Sequence, residues 1–508
     1  MPDKEYLIGV DIGTLGSKGV IIDNDGNILN SCFIEHGINV IRPGWVEQDP
    51  EQTYYGDFKT IVRYLISKTG VSSSRIVGVG VSSLSPDACP IDIDGNFVRP
   101  AIIYMDRRAT EECKMVEQTI GKREVVQRTG NAVDPYFAGY KMLWMMNNEP
   151  ENYKRTWKFL NACKYVVNKI TGVPSVDISN AALTAPFYDI HKREWSEEIC
   201  SKLGFDREKL PEVYDLGEVI AHTSRRTSSD TMLPEGIPVV SCSVDGLMSF
   251  YSVGCLEPGD AVLMYGTTGV MGIVSEKPTW DPRLLNTFYF GGKTIHAAAM
   301  IASGALVRWF RDQFGFLEKE VERQSDVSAY SLLDKMAEKI PPGSDGLVIL
   351  PYFMGERTPI WDPAARGVVV GLTLYHTRNH VFRALLESVG YGLKQHIDVA
   401  KELGISIKRI VAVNGGARSR VWRQIISDIT GMPQFYSSKA GGAPFGDAFL
   451  AGVAVKVFDR LEAVRNYVVM DEETYPIAEN TKRYQELYNV YKSLYPKLKT
   501  EMHALSVL

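Results

Sequence analysis

Residues 13–20 read Gly13-Thr14-Leu15-Gly16-Ser17-Lys18-Gly19-Val20, and residues 266–273 read Gly266-Thr267-Thr268-Gly269-Val270-Met271-Gly272-Ile273. Both segments follow the pattern Gly-Thr-x-Gly-x-x-Gly-aliphatic, and about half of the 508-residue chain separates them. A second pair of similar segments follows in the same order, Arg75-Ile76-Val77-x-Val79 and Arg409-Ile410-Val411-x-Val413. Self-similarity on the scale of half a chain predicts a duplicated domain.

The glycines of the two repeated segments predict tight turns with positive φ, which residues without a Cβ atom adopt at no steric cost. Consecutive N–H groups in such a turn form a concave site for anions, and the threonine adds a hydroxyl donor. Two loops of this kind, facing each other across a cleft, would hold a polyphosphate from both sides. The alternative is that both segments are ordinary hairpin turns.

The pattern that surrounds the repeated segments favours an α/β fold, because strands alternate with helices. The first strands form an antiparallel meander, and Asp49 with Pro50 marks the start of a helix that Gly70 ends. Residues from about 110 to 230 are rich in charge and turn residues and are predicted to add helices and loops to the first core. Strands are predicted at 6–11, 19–23, 28–35, 75–82, 238–243, 260–265 and 409–413, and further helices at 383–403, 419–430, 446–457 and 478–500.

The length, charge and cysteines of the chain indicate how many domains it has and which classes of protein it does not resemble. A chain of 508 residues is too long for one hydrophobic core, so we expect two domains, residues 1–248 and 249–508. The net charge of −5 offers no basic face for nucleic acid or an anionic membrane. Seven scattered cysteines without zinc-ligand spacing indicate free thiols in a reducing compartment. No export signal or membrane-spanning run occurs, and a soluble, cytoplasmic protein is expected.

Carboxylates near the repeated segments are candidates for phosphoryl transfer, which needs a divalent cation and a base near the acceptor hydroxyl. Asp11 directly precedes the first glycine loop and is placed to hold magnesium. Asp245 follows an apolar run and projects from a strand end, where the sites of α/β proteins gather. An aspartate at a strand end is also commonly a helix cap, which is the alternative interpretation.

Two further segments are weaker candidates. Asn414-Gly415-Gly416-Ala417 joins a buried strand to a helix, and glycines there let the backbone approach a nucleotide. Asp106-Arg107-Arg108 offers a carboxylate for hydroxyl groups and a nearby cation. The alternatives are an ordinary strand–helix connection for the first segment and a surface salt-bridge cluster for the second.

Other classes of site do not fit the sequence. Glycines 13, 16 and 19 do not match the dinucleotide pattern Gly-x-Gly-x-x-Gly, and a strand follows them where that fold needs a helix. No P-loop pattern occurs. His376 and His380 are four residues apart, but no third zinc ligand accompanies them, so they are interpreted as helix-entry residues. No Gly-x-Ser-x-Gly elbow indicates a serine hydrolase.

These residues resemble those of the FGGY carbohydrate kinase family over residues 6 to 458. The resemblance rests on ordered motifs along nearly the whole chain. They are Asp11-x-Gly13-Thr14-x4-Gly19, Gly44-Trp45-Val46-Glu47-Gln48-Asp49-Pro50, Arg99-Pro100-Ala101-Ile102 followed by Asp106 and Arg108, Gly367-x3-Gly371-Leu372-x7-His380-Val381-x2-Ala384-Leu385-Leu386-Glu387, and Gly415-Gly416-Ala417-x-Ser419-x2-Trp422.

The resemblance implies two ribonuclease-H-like domains of the actin/hexokinase superfamily, with a cleft that closes over sugar and ATP. It implies that Asp245 is the catalytic base and that Asp11 and Asp245 lie near Mg2+. The ATP-binding residues that it implies are Gly13, Thr14, Lys18, Gly266, Thr267, Gly415, Gly416, Ala417 and Arg420. Members of this family are often homodimers.

The sugar-binding segments depart from those usual in xylulokinases. This chain has Ser85-Pro86-Asp87 where xylulokinases usually have Met-His, and Asp245-Gly246 where they usually have Asp-Asn. It has Met105-Asp106-Arg107-Arg108 in place of Asn-Asp-Gly-Arg. The predicted sugar contacts are Ser85, Asp87, Asp106, Arg107 and Asp245. Arg107 is expected to pair with a carboxylated substrate or with Asp87.

The sequence therefore predicts an ATP-dependent kinase for a ketopentose, with D-xylulose as the first choice. Gluconate, L-ribulose or a polyol is the alternative substrate. Two other classes stay open, a non-catalytic nucleotide-switched module of actin-like fold and a sugar-sensing homologue without catalysis. The sequence favours the kinase, since it shows no separate third domain and retains Asp11 and Asp245.

Overall fold

Two large mixed β-sheets form the framework of the computed structural model, which describes residues 4–279, 281–438 and 440–506. In spatial order, the N-terminal sheet consists of Val219–His222, Pro238–Val240, Ile76–Ser83, Tyr6–Ile12, Gly16–Asp23 and Ile28–Glu35. The C-terminal sheet consists, with the equivalent strands in the reverse order, of Leu285–Phe288, Thr294–Met300, Gly269–Ser275, Asp260–Tyr265, Arg409–Val413, Gln434–Tyr436 and Glu472–Thr474.

The two sheets repeat the same pairing. Tyr6–Ile12 pairs antiparallel with Gly16–Asp23 and parallel with Ile76–Ser83. Asp260–Tyr265 likewise pairs antiparallel with Gly269–Ser275 and parallel with Arg409–Val413. Each repeated glycine segment is thus the loop of a hairpin whose first strand lies at the centre of a sheet. The duplication and the α/β class predicted from the sequence are confirmed.

Helices and short strands surround these sheets. The helices are Gly56–Thr69, Thr110–Thr119, Lys122–Thr129, Ala138–Asn148, Pro150–Arg155, Ala162–Thr171, Ile178–Ala182, Glu197–Leu203, Arg225–Thr231, Asp245–Ser252, Gly304–Phe314, Phe316–Gln324, Ala329–Glu338, Arg378–Glu402, Arg420–Thr430, Gly442–Ala454 and Ala478–Ser506. The short strands are Asn39–Arg42, Trp45–Gln48, Cys89–Ile91, Ala101–Ile102, Lys158–Leu160, Ser175–Asp177, Tyr188–Asp189, Glu194–Trp195, Glu212–Tyr214, Val348–Leu350 and Val368–Val370.

Local capping explains where several helices begin. The Asp49 carboxylate accepts hydrogen bonds from the N–H groups of Glu51 and Gln52, so the predicted cap is confirmed, and a π-helical turn leads from it into Gly56–Thr69. The predicted helix at 383–403 begins earlier, at Arg378. Thr377 and His380 form a reciprocal capping box there, which confirms His380 as a helix-entry residue.

Helix Gly442–Ala454 joins the two halves of the molecule. It comes from the C-terminal half of the sequence but lies directly on the N-terminal sheet, with Phe449 and Leu450 in a core that also contains Leu7. A Cβ atom on Gly9 would lie 1.9 Å from the carbonyl oxygen of Pro444, so only glycine allows this close approach. The predicted domain division between residues 248 and 249 falls within helix Asp245–Ser252, which packs on the same helix, and it stays a prediction.

All seven cysteines carry free thiols, as the sequence indicated. Six of them are buried, and Cys32 is partly exposed. Among the described residues, none of the helices is both long enough and apolar enough to cross a bilayer.

The contact between helix Gly442–Ala454 and the N-terminal sheet can be tested with Gly9→Ala. The added methyl group would meet backbone atoms, which cannot rotate away, so we expect a loss of about 1–3 kcal/mol in the free energy of unfolding. Urea unfolding followed by tryptophan fluorescence measures the change. Gly37→Ala is the matched control, because its Cβ atom would meet no described atom within 4 Å, and about 0.5 kcal/mol or less is expected. Equal stability of the two variants would contradict this packing.

Candidate active site

Three adjoining cavities lie in the cleft between the two halves of the molecule. The inner cavity, of about 180 Å³, is lined by residues that include Thr14, Ser85, Tyr104, Tyr136, Asp245, Thr268 and Arg357. The middle cavity, of about 360 Å³, is lined by residues that include Asp11, Lys18, Asp245, Asn414, Gly415 and Arg418. The outer cavity, of about 600 Å³, is lined by residues that include Gly266, Thr267, Arg308, Asp334, Gly415, Gly416 and Arg418.

Shared residues connect the three cavities into one path. Asp245 lines both the inner and the middle cavity. Gly415 and Arg418 line both the middle and the outer cavity. A ligand extending from Asp334 to Tyr136 would therefore pass Asp245 at the constriction between the inner and middle cavities.

Asp245 and Asp11 bring two carboxylates to the middle cavity. Asp245 is the first residue of helix Asp245–Ser252 and accepts a 2.6 Å hydrogen bond from the N–H of Gly246. Burial raises the pKa of Asp245 to about 6, although the Gly246 N–H and the Lys18 ammonium oppose the shift. Burial and the charge of Asp245 raise the pKa of Asp11 to about 7. The two carboxylates thus repel each other in a desolvated region.

This carboxylate pair fits a divalent cation. A bound cation would compensate the burial that raises both pKa values and, at Asp11, the added repulsion from Asp245. Within the described part of the chain, no group of three or more acidic, histidine or cysteine side chains has metal-binding geometry. A cation bound here would complete its shell with phosphate oxygens and water, as Mg2+ commonly does.

Ser82 and Asp447 support Asp11 from the protein interior. The Ser82 hydroxyl lies 3.3 Å from the Asp11 carboxylate and 2.6 Å from that of Asp447. Asp447 is fully buried on helix Gly442–Ala454, and burial raises its pKa well above the usual range. Sequence reasoning did not identify Asp447, although an aspartate within an otherwise apolar helix segment is an available signal.

The two glycine loops flank the path, but their glycines serve close packing rather than positive φ. Gly13 and Gly16 are not among the glycines with left-handed backbone, so the predicted reason for them is wrong. A Cβ atom on Gly13 would lie 2.6 Å from the Gly16 carbonyl oxygen, and one on Gly16 would lie 2.5 Å from the Phe33 ring. Thr14 faces the inner cavity, whereas Gly266 and Thr267 face the outer cavity.

Arg418, two residues before the start of helix Arg420–Thr430, is the arginine of this segment that lines the middle and outer cavities. The predicted residue, Arg420, lies instead on a separate groove with Lys339 and Gln424. Ser419 caps the helix by accepting the Trp422 N–H, and the chain direction changes at this point. Ala417 is buried beneath the glycines that line the outer cavity.

Asp334 also lines the outer cavity and was missed by sequence reasoning. Burial raises its pKa to about 6, against the opposing hydrogen bond from Ser419. It belongs to helix Ala329–Glu338, whose sequence shows no feature that marks the residue as part of a site.

Of the four residues predicted beside Asp245 as sugar contacts, the structure brings Ser85 and Asp87 together. Ser85 lines the inner cavity and donates to Asn180. Asp87 lines a small adjoining cavity of about 10 Å³, which it shares with Ser85, Asn161 and Asn180, and burial raises its pKa to about 8.

Asp106 and Arg107 are occupied by protein partners. The Asp106 carboxylate accepts hydrogen bonds from Arg108 at 2.7–3.0 Å and from the Val46 N–H at 2.6 Å. Arg107 donates twice to Asp134, at 2.5 and 2.8 Å, and therefore pairs neither with Asp87 nor with an open position in the cavity. The sequence also allowed a salt-bridge cluster at the surface. Asp106 does form such a cluster, but it is buried.

Tyr104, Tyr136 and Arg357 form the polar wall of the inner cavity, and sequence reasoning identified none of them. The two tyrosine rings meet edge to face with centroids 6.2 Å apart, and the Arg357 guanidinium lies 5.8 Å from the Tyr136 ring. Arg357 donates to the Met300 carbonyl oxygen at 3.3 Å, while its buried Nε has no hydrogen-bond partner among the described residues. Arg357 thus adds a cationic residue to the wall of the inner cavity, while its Nε is shielded within the protein.

Two family models together match most of the chain. The FGGY family of carbohydrate kinases, N-terminal domain, matches residues 6–251, and the C-terminal domain of the same family matches residues 261–455.

Individual relatives are similar over almost their full lengths. The chain is 28% identical to a xylulose kinase from Bacillus subtilis (strain 168) over 499 residues, which are 97% of either chain. It is also 28% identical to a gluconokinase from the same organism, over 96% of this chain and 95% of the relative. The crystal structure of a xylulose kinase from Rhodospirillum rubrum, 27% identical, superposes with a TM-score of 0.89 over 98% of this chain and 100% of the other.

The different positions of Arg418 and Arg420 give a paired test of the path. Because Arg418 lines both the middle and outer cavities, Arg418→Ala should weaken binding of a non-hydrolysable ATP analogue about tenfold, the loss of one charge-assisted hydrogen bond. Arg420→Ala is the matched control and should change the Kd less than about twofold. Isothermal titration calorimetry measures both values. A larger loss in Arg420→Ala than in Arg418→Ala would contradict the assignment of the outer cavity.

Proposed function

We propose that this chain, which belongs to the FGGY family of carbohydrate kinases, transfers the γ-phosphoryl group of ATP to a hydroxyl group of a ketopentose, with D-xylulose as the first candidate. The observation that carries the proposal is the position of Asp245 at the junction of the inner and middle cavities. A carboxylate there touches both the place for an acceptor alcohol and the place for phosphates. The similarity to xylulose kinases supports the choice of sugar.

Asp245 acts in this proposal as the general base. Its carboxylate accepts the proton of the acceptor hydroxyl while that oxygen attacks the γ-phosphorus, with the leaving ADP oxygen in line on the far side. The Lys18 ammonium and the Gly246 N–H both favour the ionised form of Asp245 and oppose the effect of burial. The base is therefore a carboxylate whose raised pKa brings it closer to neutral pH than that of an exposed aspartate.

Residues on both sides of Asp245 hold the nucleotide. Gly266, Thr267, Gly415, Gly416 and Arg418 present donors along the outer and middle cavities, where the triphosphate would lie. Lys18 approaches the phosphates from the N-terminal sheet in the middle cavity, and Thr14 lies on the acceptor side of Asp245, in the inner cavity.

Asp11 and Asp245 would hold Mg2+, which we propose as the cation because oxygen ligands and phosphates suit it. Bound there, it would neutralise charge on the transferring phosphoryl group. Free thiols in every cysteine support a cytoplasmic location, since disulfides are rare in that compartment. The family resemblance also suggests a homodimer.

Arg357 favours a second candidate substrate, an aldonate such as gluconate. Arg357 lines the inner cavity, and a carboxylate is the group that pairs best with a guanidinium. The similarity to gluconokinase is consistent with this candidate. The keto oxygen of a pentulose would also accept a hydrogen bond from Arg357. D-xylulose therefore remains the first candidate substrate.

A substrate panel tests the proposed function directly. The measurement is coupled release of ADP with D-xylulose, L-ribulose, gluconate and polyols at equal concentrations. We expect the highest kcat/KM with a ketopentose, and Arg357→Met should lower that value by raising KM. A preference for gluconate that Arg357→Met abolishes would replace the ketopentose with the aldonate. ATP turnover that none of these compounds stimulates would contradict the proposal.

Asp245→Asn tests the base. The amide keeps the size and the Gly246 contact but does not accept a proton, so kcat should fall by about 10²-fold or more. Binding of the ATP analogue without Mg2+ should stay close to wild type and the midpoint of thermal unfolding should not fall, which separates a chemical effect from misfolding. Turnover within a few-fold of wild type would exclude Asp245 as the base.

A further inference from the structure

Tyr136 reaches the inner cavity from a short segment, residues 134–137, that precedes helix Ala138–Asn148. The Asp134 carboxylate organises this segment. Its Oδ1 accepts the backbone N–H of Tyr136 at 2.8 Å and one Arg107 nitrogen at 2.5 Å. Its Oδ2 accepts a second Arg107 nitrogen at 2.8 Å. One carboxylate therefore fixes the backbone at Tyr136 and binds an arginine from another part of the chain.

Lys141 fixes the same segment from beneath. Its ammonium donates to the carbonyl oxygens of Pro135 at 2.7 Å, Tyr136 at 2.5 Å and Phe137 at 3.4 Å. The side chain is 1% exposed, so these carbonyls are its partners in place of water. The segment that carries Tyr136 is thus held by both its N–H and its C=O groups.

Arg107 belongs to the same segment as Tyr104, the second tyrosine that lines the inner cavity. The backbone N–H of Arg107 donates to Gly44 at 2.8 Å, and its neighbour Asp106 is fixed by Val46 and Arg108. Arg108 itself packs against two indole rings that contact each other, with its guanidinium 3.9 Å from the Trp45 ring and 4.8 Å from the Trp144 ring. Arg107 is therefore presented from a rigid support.

We infer that the Arg107–Asp134 ion pair is a positioning device for the sugar site, which ties Tyr136 to the segment of Tyr104 and so sets the shape of the inner cavity for its substrate. The inference rests on the proposed function, because it assigns the inner cavity to the sugar. Arg107 acts through Tyr136 and does not itself touch the substrate.

The partial exposure of the Arg107–Asp134 pair indicates that it positions Tyr136 more than it stabilises the fold. The Arg107 side chain is 38% exposed and that of Asp134 is 14% exposed. Water reaches the Arg107 side of the pair and screens it in part, so the pair contributes less to folding than a fully buried one would. Its bidentate geometry restrains the orientation of the groups that it joins. Loss of the pair should therefore move Tyr136 without unfolding the protein.

Steady-state kinetics on the full-length protein provide the first test. Arg107→Ala should raise KM for the sugar about fivefold or more, with KM for ATP unchanged and kcat within about twofold. Asp134→Asn, which keeps an acceptor for the Tyr136 N–H, should raise KM to the same extent. The double variant should add nothing further, because both substitutions break one interaction. Arg107→Lys should recover part of the loss. Unchanged KM, or effects that add, would overturn the inference.

Arg378→Ala is a matched control. Arg378 also donates twice to one carboxylate, that of Glu318, at 3.1 and 2.6 Å, and its side chain is likewise 38% exposed. It lies at the start of helix Arg378–Glu402, and it does not appear among the described residues that line the three cavities. KM for the sugar should stay at the wild-type value. An increase equal to that in Arg107→Ala would show general loosening and would also overturn the inference.

Amide hydrogen exchange tests the restraint without any substrate. Exchange across residues 134–137 should become about tenfold faster in Arg107→Ala and Asp134→Asn, and should keep the wild-type rate in Arg378→Ala. Wild-type rates in all three variants would overturn the inference even if the kinase activity is as proposed. Failure of every sugar in the panel would count against the proposed function, while the exchange rates would still decide whether the ion pair restrains Tyr136.

Discussion

The repulsion between the carboxylates of Asp11 and Asp245 is the constraint around which the site is arranged. Both groups lie where the two halves of the molecule meet, and burial raises both pKa values, to about 7 and about 6. Keeping two such groups near each other opposes folding unless a cation or a proton compensates. Lys18 supplies part of that compensation, and a divalent cation with its phosphates would supply the rest. The region is therefore suited to bind a cation with its phosphates, and it does not stabilise the fold of the protein without ligands.

The rest of the architecture holds these groups in place. The two central strands end at the glycine loops, so each half directs one loop toward the cleft. Helix Gly442–Ala454 closes the floor by lying on the opposite sheet at the distance that Gly9 permits. Asp447 on this helix reaches Asp11 through Ser82, which connects the C-terminal half to the carboxylate of the N-terminal half. Close backbone packing and a short hydrogen-bond chain thus fix the geometry of the cleft.

Much of the fold was predictable from the sequence because the duplicated hairpins have a strong local signature. The strand Asp260–Tyr265 has the predicted bounds, and Asp49 caps its helix as expected. The reason given for the glycines was wrong, since they allow close contacts and not positive φ. Spacing alone does not distinguish these two requirements, because both exclude a Cβ atom.

The site was less predictable where contacts come from distant segments. The structure brings Asp11 and Asp245 together, as the motifs suggested, but Asp106 binds Arg108 within a pocket of two tryptophans that the sequence does not juxtapose. Arg418 and Arg420 are two residues apart on either side of the extended Ser419 cap, so they line different cavities although they are close in sequence. Tyr136 and Arg357 come from different halves, so only the folded chain shows that they share a wall.

The most direct measurement is a crystal structure of the protein with a non-hydrolysable ATP analogue, Mg2+ and the best sugar of the panel. The account predicts the triphosphate between the loops at 13–16 and 266–269, with one sugar hydroxyl about 2.6–3.2 Å from the Asp245 carboxylate and aimed at the γ-phosphorus. A sugar bound outside the inner cavity, or a γ-phosphate directed away from Asp245, would contradict it.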